Sequence, residues 1–432
     1  MNAIVRYGNF IKSSLEEHPL RARKMIQAGL CLESIRTAHF PDRRMPAAYR
    51  ELNAMAVKSV RNAFAHPQSC AWTNLFTPVE ILQCFDVNCL SIEALSSFLS
   101  GFTCENWLID YAERIGMAPT LCSYHKNFIG AADSGLVPNP AFAVTTSMIC
   151  DGNINTFRHI TEKKQIPAYV IDVPDTYSAD TVAYVTSQLQ ELIALLEKTL
   201  GRRFDIDRLR EILERENASH KVYLDFLKKR RTKFYPTTLT IQMYMLFASH
   251  LNIGSEETLH FYRHLLTDID NYPDFDGKRI LWVHLLPFYQ DTLKQYFNFS
   301  RNYQIQALDM NLDYMEPLDC SRPLEALAEK MLRNVYNGPY ERKISFVRQL
   351  ADDVGADGII HFCHWGCKQA SGGAMLLKEA MKKEGIPMLI LDGDGIDRRN
   401  SHDGQIKTRL EAFFEILESD GCQTMKNQKE KL

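Results

Sequence analysis

The chain has 432 residues, 45% of them hydrophobic and 24% charged, which predicts two or three globular domains. Fifty Lys and Arg residues against 53 Asp and Glu residues leave a net charge of −3, which argues against a nucleic-acid-binding protein. Because the sequence has neither a run of about 18 apolar residues nor a signal-peptide pattern at its start, we expect no membrane partner and a cytoplasmic location.

Residues 1–70 are polar and charge-rich, and their scattered apolar positions predict a helical N-terminal segment. From Trp72 onward, short apolar runs alternate with helical stretches, as in β-α-β units built around a parallel sheet. Residues 71–200 are therefore predicted to form a first α/β domain. Its predicted strands lie at residues 120–121, 142–146 and 168–173.

Two long amphipathic helices are predicted next, one over residues 179–200 that ends at Gly201 and one from Asp207 past Leu227. Residues 201–274 are accordingly predicted to be a helical connector. The alternation then resumes, which predicts a second α/β domain over residues 275–432. Its predicted strands and final helix lie at residues 278–285, 358–362, 388–391 and 405–417. The expected fold is thus α/β, with two Rossmann- or flavodoxin-like parallel-sheet domains.

The chain contains 11 cysteines, which we expect to be free thiols or metal ligands because disulfides are rare in a reducing cytosol. Parallel sheets bind ligands at the carboxyl ends of their strands, beside helix N-termini. Four cysteines are predicted to lie in such strand-to-helix turns: Cys122, Cys150, Cys363 and Cys367. The other seven are predicted to be small buried hydrophobes: Cys31, Cys70, Cys84, Cys89, Cys104, Cys320 and Cys422.

Cysteine spacing alone leaves a metal site and ordinary thiols open. The sequence has no CxxC pair, so zinc-ribbon and ferredoxin patterns are excluded. His361 and His364 flank Cys363, and we predict hydrogen-bonded turn histidines there rather than metal ligands.

Five segments follow one another in a specific combination. They are Cys122-Ser123-Tyr124-His125-Lys126, Thr145-Thr146-Ser147-Met148-Ile149-Cys150-Asp151, His364-Trp365-Gly366-Cys367-Lys368-Gln369, Leu391-Asp392-Gly393-Asp394 and Thr408-Arg409-Leu410-Glu411-Ala412-Phe413. Together they resemble the 2-hydroxyacyl-CoA dehydratase family, whose superfamily includes benzoyl-CoA reductase subunits. The resemblance extends from Trp72 to the C-terminus.

The resemblance implies a [4Fe–4S] cluster held by three cysteines of one subunit. Carried over by position, these are Cys122, Cys150 and Cys367, and Cys363 is left out of the set. Three ligands leave one iron open to substrate. A double-cubane cluster is the alternative cofactor.

In the family, one electron enters the thioester carbonyl of a 2-hydroxyacyl-CoA, and the resulting ketyl radical loses hydroxide from C2 and a proton from C3. The candidate catalytic carboxylate of the family, an acid or base, aligns with Glu93. The hydroxyl-bearing residue that accompanies it falls on Leu75 instead. From its own pattern, Glu93 is equally expected to be a surface carboxylate on a helix.

Three alternative functions are therefore considered. The first is the [4Fe–4S] subunit of a hydro-lyase that forms a 2-enoyl-CoA from an acyl-CoA substrate. Its implied partners are a homologous second subunit, in a heterodimer or a homodimer, and an ATP-dependent iron–sulfur activator protein. The second alternative follows from Leu75, which replaces the hydroxyl-bearing residue of the family. It is an electron-relay subunit, or a reductase of the benzoyl-CoA-reductase or double-cubane-cluster type. The third function is a non-catalytic thiol- or metal-binding α/β scaffold.

Overall fold

A computed structural model describes residues 3–419 of the chain, so the prediction for Cys422 falls outside the described residues. Within this range the chain forms two four-stranded sheets, and every strand pair is parallel. The predicted α/β class with two parallel-sheet domains is confirmed. None of the helices among residues 3–419 is long and apolar enough to cross a membrane.

Three helices precede the first sheet: α1 (Ala3–Leu15), α2 (Pro19–His39) and α3 (Ala47–Ala65). Their sequences look polar, yet each helix has apolar residues that are fully buried. Ile26 and Leu30 of α2 and Val60 of α3 are buried in the same apolar core as Trp72. The N-terminal segment therefore packs on the first sheet.

The first sheet has the order β2-β1-β3-β4 and six helices around it. The strands are β1 (Cys70–Thr73), β2 (Asn88–Ser91), β3 (Phe142–Thr146) and β4 (Ala168–Ile171). The helices are α4 (Val79–Cys84), α5 (Ile92–Gly101), α6 (Glu105–Arg114), α7 (Ser123–Asp133), α8 (Asp151–Lys164) and α9 (Ala179–Leu200). The two predicted strands near residues 142 and 168 are confirmed, and β1 and β2 were not predicted.

The strand predicted at residues 120–121 is wrong. These residues form a turn between α6 and α7, in which the backbone N–H of Leu121 donates to the carbonyl of Ala118 at 3.0 Å. Pro119 has no N–H to give to a strand ladder, and a segment of two residues, Thr120 and Leu121, is too short for a buried strand. Cys122 therefore follows a helix-to-helix turn rather than a strand.

The connector is helical, as predicted, with α10 (Ile206–Arg230), α11 (Leu239–Leu246) and α12 (Glu256–Asp268). The helix predicted over residues 179–200 coincides with α9, and Gly201 ends it in the left-handed conformation at φ 64°. The domain boundaries at residues 70, 200 and 274 remain predictions.

The second sheet has the order β6-β5-β7-β8. Its strands are β5 (Lys278–Val283), β6 (Tyr303–Leu308), β7 (Gly358–His364) and β8 (Met388–Gly393). Its helices are α13 (Asp291–Phe297), α14 (Pro323–Arg333), α15 (Tyr340–Asp353), α16 (Lys368–Ser371), α17 (Ala374–Lys383) and α18 (Asp403–Glu418). In each sheet the strand order reverses beside the first strand, which is where parallel sheets bind ligands.

The two halves of the chain share one apolar cluster, which lies beyond the strand ends of the first sheet. Leu75 and Met148, which follow β1 and β3, are buried in the same cluster as Met310 and Leu327 of the second half of the chain. The carboxyl ends of both sheets are thereby directed toward one cleft.

Candidate metal centre between the two sheets

A cavity of about 60 Å³, here called the thiol cavity, lies where the carboxyl ends of the two sheets meet. Cys122, Cys150, Cys367 and Glu93, which are the four site residues expected from the sequence, all line it. The remaining lining residues come from both halves of the chain: Leu75, Phe76, Tyr124, His125, Ile149, Asn153, His284, Leu285, Met310, His364 and Gly366. Tertiary packing thus brings together three thiols that are far apart in sequence.

Each of the three cysteines immediately precedes a helix: Cys122 precedes α7, Cys150 precedes α8 and Cys367 precedes α16. Backbone N–H groups of the following turn donate to each sulfur. The donors are Tyr124 to Cys122, Gly152 and Asn153 to Cys150, and Gln369 and Ala370 to Cys367. The predicted strand-to-helix position is correct for Cys150 and Cys367 and wrong for Cys122.

Burial raises the pKa of all three thiols, and the backbone N–H donors only partly oppose this rise. The thiols also raise one another's pKa, since Cys122 and Cys150 each interact with Cys367. Such thiols ionise once a bound cation compensates their charge, because a metal-coordinating thiol is deprotonated. A donor set of three thiols fits a thiophilic iron–sulfur group. Among residues 3–419, no three His, Cys, Asp or Glu side chains have the spacing of a single-ion site.

A different histidine stands beside each of these sulfurs. His364 Nε2 lies 3.1 Å from Cys122 Sγ, His125 Nε2 lies 3.6 Å from Cys150 Sγ, and His284 Nε2 lies 3.6 Å from Cys367 Sγ. All three histidines are buried. Burial lowers the pKa of His125 to about 4, and it lowers the pKa of His284 and His364 as well. The imidazoles are therefore neutral at pH 7.

Of these histidines, sequence reasoning considered only His364. It is a hydrogen-bonded histidine, as predicted, because its Nδ1 accepts from the Gly395 N–H at 2.9 Å; it ends β7 rather than lying in a turn. His284 directly follows β5, so the rule that placed the cysteines at strand ends applied to it too. His125 carried a weaker signal, its place one helical turn after Cys122.

Glu93 lies in the first turn of α5, which Ser91 caps by accepting the Ala94 N–H at 3.0 Å. One carboxylate oxygen of Glu93 is fully buried and has no hydrogen-bond partner among the described residues. Burial raises the pKa of this carboxyl to about 7. The expectation of a surface carboxylate is therefore wrong, because the side chain lines the thiol cavity.

The thiol cavity continues into a smaller, mainly apolar cavity of about 30 Å³. Leu75 and Glu93 line both cavities, and Leu75 is buried at the position where the resemblance implies a hydroxyl. The other residues of the smaller cavity are Ala94, Ser97, Tyr124, Met243, Leu246, Phe247, His284, Leu285, Leu286, Leu308 and Met310. Lys and Arg do not occur among these lining residues.

Cys363 lies inside β7, so its predicted place in a strand-to-helix turn is wrong. Its thiol donates to the Ala370 carbonyl at 3.5 Å, and it is absent from the lining of the thiol cavity. Among the cysteines expected to be buried, the prediction is correct for four: Cys70, Cys84, Cys89 and Cys104. It is wrong for Cys31, which is exposed on α2, and Cys320 is only half-buried.

The family model described as "2-hydroxyglutaryl-CoA dehydratase, D-component" matches residues 74–417. The chain is 23% identical to the (R)-phenyllactyl-CoA dehydratase alpha subunit of Clostridium sporogenes, over 72% of this chain and 80% of that protein. It is 22% identical to the lactoyl-CoA dehydratase subunit alpha of Anaerotignum propionicum, over 84% of this chain and 94% of that protein. It is also 22% identical to a benzoyl-CoA reductase subunit of Thauera aromatica, over 78% of this chain and 86% of that protein. The resemblance drawn from the sequence is confirmed, and the matched range contains the whole thiol cavity.

Proposed function

The chain belongs to the 2-hydroxyglutaryl-CoA dehydratase D-component family, and on this premise we propose that it is the [4Fe–4S] subunit of a 2-hydroxyacyl-CoA dehydratase. The proposed reaction removes water from a 2-hydroxyacyl-CoA through a ketyl radical and yields a 2-enoyl-CoA. The relatives whose names designate them as alpha subunits support pairing with a homologous second subunit. We include an ATP-dependent iron–sulfur activator protein as the electron donor.

The observation that carries this proposal is the convergence of Cys122, Cys150 and Cys367 on one cavity beside Glu93, a half-buried residue with one fully buried carboxyl oxygen. These three cysteines are the proposed cluster ligands. When bound there, the cluster would supply an electron for the thioester carbonyl and an iron without a protein ligand.

Glu93 is the residue we assign to proton transfer. With a pKa raised to about 7 by burial, it is half protonated at neutral pH and accepts or returns a proton at its buried oxygen. Glu93 lines both cavities, which supports a role for its carboxyl between the thiols and the apolar lining. The apolar lining limits the access of water to this carboxyl.

Iron and sulfide analysis of the anaerobically purified and reconstituted chain tests the proposal. We expect about four iron and four sulfide per chain, whereas about eight iron indicates a double cubane. Cys367→Ala is expected to lose the cluster. Cys363→Ala, a substitution only four positions earlier in a thiol outside the cavity, is the matched control and keeps it. An iron-free wild-type chain, or a full cluster in Cys367→Ala, contradicts the ligand assignment.

Leu75 favours a second candidate function, an electron-relay subunit or a related reductase. An apolar side chain at the junction of the two cavities cannot donate a hydrogen bond to a substrate oxygen. Assays of the chain with its homologous subunit and activator separate the candidates. Dehydration of a 2-hydroxyacyl-CoA that is lost in Glu93→Gln supports the catalytic subunit, and dehydration unaffected by Glu93→Gln supports the relay.

A further inference from the structure

We propose that His125, His284 and His364 donate Nε2–H hydrogen bonds to the sulfurs of Cys150, Cys367 and Cys122, and that these bonds raise the reduction potential of the cluster. This inference rests on the proposed function, since it requires that the three cysteines bind iron. It concerns positioning residues, which act through the sulfurs rather than on the substrate.

His364 gives the clearest case. Its Nδ1 accepts the Gly395 N–H at 2.9 Å, and a backbone N–H is always a donor. Nδ1 therefore carries no proton, which leaves the proton of the neutral ring on Nε2, the atom 3.1 Å from Cys122 Sγ. The geometry fixes the tautomer in which the ring donates to the sulfur.

The loop that presents Gly395 is itself held by a buried carboxylate. Asp394 Oδ1 accepts the Ser123 hydroxyl at 2.6 Å and the N–H groups of Ile396 and Asp397 at 2.9 Å each. The same oxygen lies 3.9 Å from His364 Nδ1, which is too long for a hydrogen bond. Asp394 thus holds the conformation of the loop, and the Gly395 N–H fixes the tautomer of the His364 ring.

His125 and His284 are expected to donate to their sulfurs in the same way. A metal-bound thiolate carries no proton, so the nitrogen beside it must be the donor. His125 Nδ1 lies 3.1 Å from the Thr156 hydroxyl, which can donate to it and leave Nε2–H for Cys150. His284 Nδ1 is buried without a hydrogen-bond partner among the described residues, so within that range the ring hydrogen-bonds only to Cys367.

Hydrogen bonds to the sulfurs of an iron–sulfur cluster disperse the extra negative charge of its reduced form. Removing a donor therefore disfavours reduction and makes the potential more negative. The three donors lie in α7, directly after β5 and at the end of β7, so both halves of the chain contribute to this effect.

The test is a redox titration of the reconstituted full-length variants His364→Leu, His284→Leu and His125→Leu. The reduced cluster is monitored by electron paramagnetic resonance. Each Leu variant is expected to titrate at a more negative potential than wild type. His364→Gln, whose amide retains an N–H donor, is expected to lie closer to wild type than His364→Leu. His250→Leu is the matched control, because His250 is buried against Asp313 and outside the thiol cavity, and its potential should equal that of wild type.

A second measurement needs no substitution. The protein is wild type with ¹⁵N-labelled histidine. Pulsed electron paramagnetic resonance is expected to show that the spin of the reduced cluster couples to histidine nitrogen and to an exchangeable proton. Leu variants that keep a full cluster at the wild-type potential overturn this inference alone, as does the absence of histidine coupling. A wild-type chain that binds no iron and sulfide overturns the proposed function and this inference with it.

Discussion

Replacing Glu93 with glutamine is expected to stabilise the iron-free chain at alkaline pH and to have little effect at acidic pH. The reason is that burial raises the pKa of this carboxyl in the folded chain to about 7, whereas its ordinary value is 4.5. A raised pKa means that the folded state binds the proton more tightly than the unfolded state. Glu93 therefore lowers the stability of the folded chain progressively as the pH rises from about 4.5 through 7. Glutamine resembles the protonated acid and does not titrate.

One pKa unit corresponds to about 1.4 kcal/mol. The destabilisation from an ionised Glu93 is accordingly about 1 kcal/mol at pH 5 and about 3 kcal/mol at pH 8. The stability advantage of Glu93→Gln over wild type should therefore grow by about 2 kcal/mol between these two values. The iron-free chain is the right material because bound cluster charge would itself shift a neighbouring pKa.

Urea unfolding, monitored by tryptophan fluorescence, is a suitable assay. Buried Trp72 lies in β1, which pairs with β2, and β2 leads directly into the helix that carries Glu93. Wild type and variant are compared at the same pH. The contributions of other titrating groups to the free energy of unfolding, such as that of Glu80 with its raised pKa, then cancel. Glu162→Gln, an exposed position on α8, is the control and should show no such growth. Parallel pH profiles for Glu93→Gln and wild type would refute the reasoning.

Two further substitutions test the packing around the site. Gly366→Ala should reduce cluster content and destabilise the chain by about 2 kcal/mol, because its Cβ would stand 2.8 Å from the Cys122 Cα at a φ of 80°. Iron analysis and thermal unfolding measure both effects, and Gly404→Ala, whose Cβ meets open space, is the control; equal iron content in the two variants would contradict the reasoning. Lys330→Met should destabilise the chain by about 3–5 kcal/mol, because Lys330 lies between the buried carboxylates of Glu80 and Glu216 at 2.6 and 2.5 Å. Lys58→Met, which breaks an exposed pair with Glu257, should cost under about 1 kcal/mol, and similar urea midpoints for the two variants would refute the expected difference.

Local patterns in the sequence were sufficient for much of the fold. β3 and β7 are buried at every residue and contain short apolar runs, Phe142-Ala143-Val144 and Ile359-Ile360, as expected in a sheet that is covered on both faces. Gly201 ends α9 because it reaches the left-handed conformation without a Cβ clash. These features depend on residues adjacent in the chain, so the sequence by itself predicts them.

Short or irregular elements were harder to predict from local patterns. β1 and β2 are as short as β4 but have fewer β-branched residues, which gives a weaker strand signal. β1 is held by pairing with β2 on one side and with β3 on the other. Thr120 and Leu121 before Cys122 were predicted to end a strand, yet Pro119 and the turn around it prevent strand pairing there.

The candidate cysteines were found from sequence, and their surroundings were not. Cys122, Cys150 and Cys367 were selected from motifs, but only the packing of the two sheets shows that they share a cavity with His284 and Glu93. Burial at that interface raises the pKa of Glu93 and keeps the histidines neutral, because a charged form loses its hydration there. The sequence by itself determines residue types and much of the local structure. Desolvation and proximity between distant segments arise only when the two halves of the chain pack against each other.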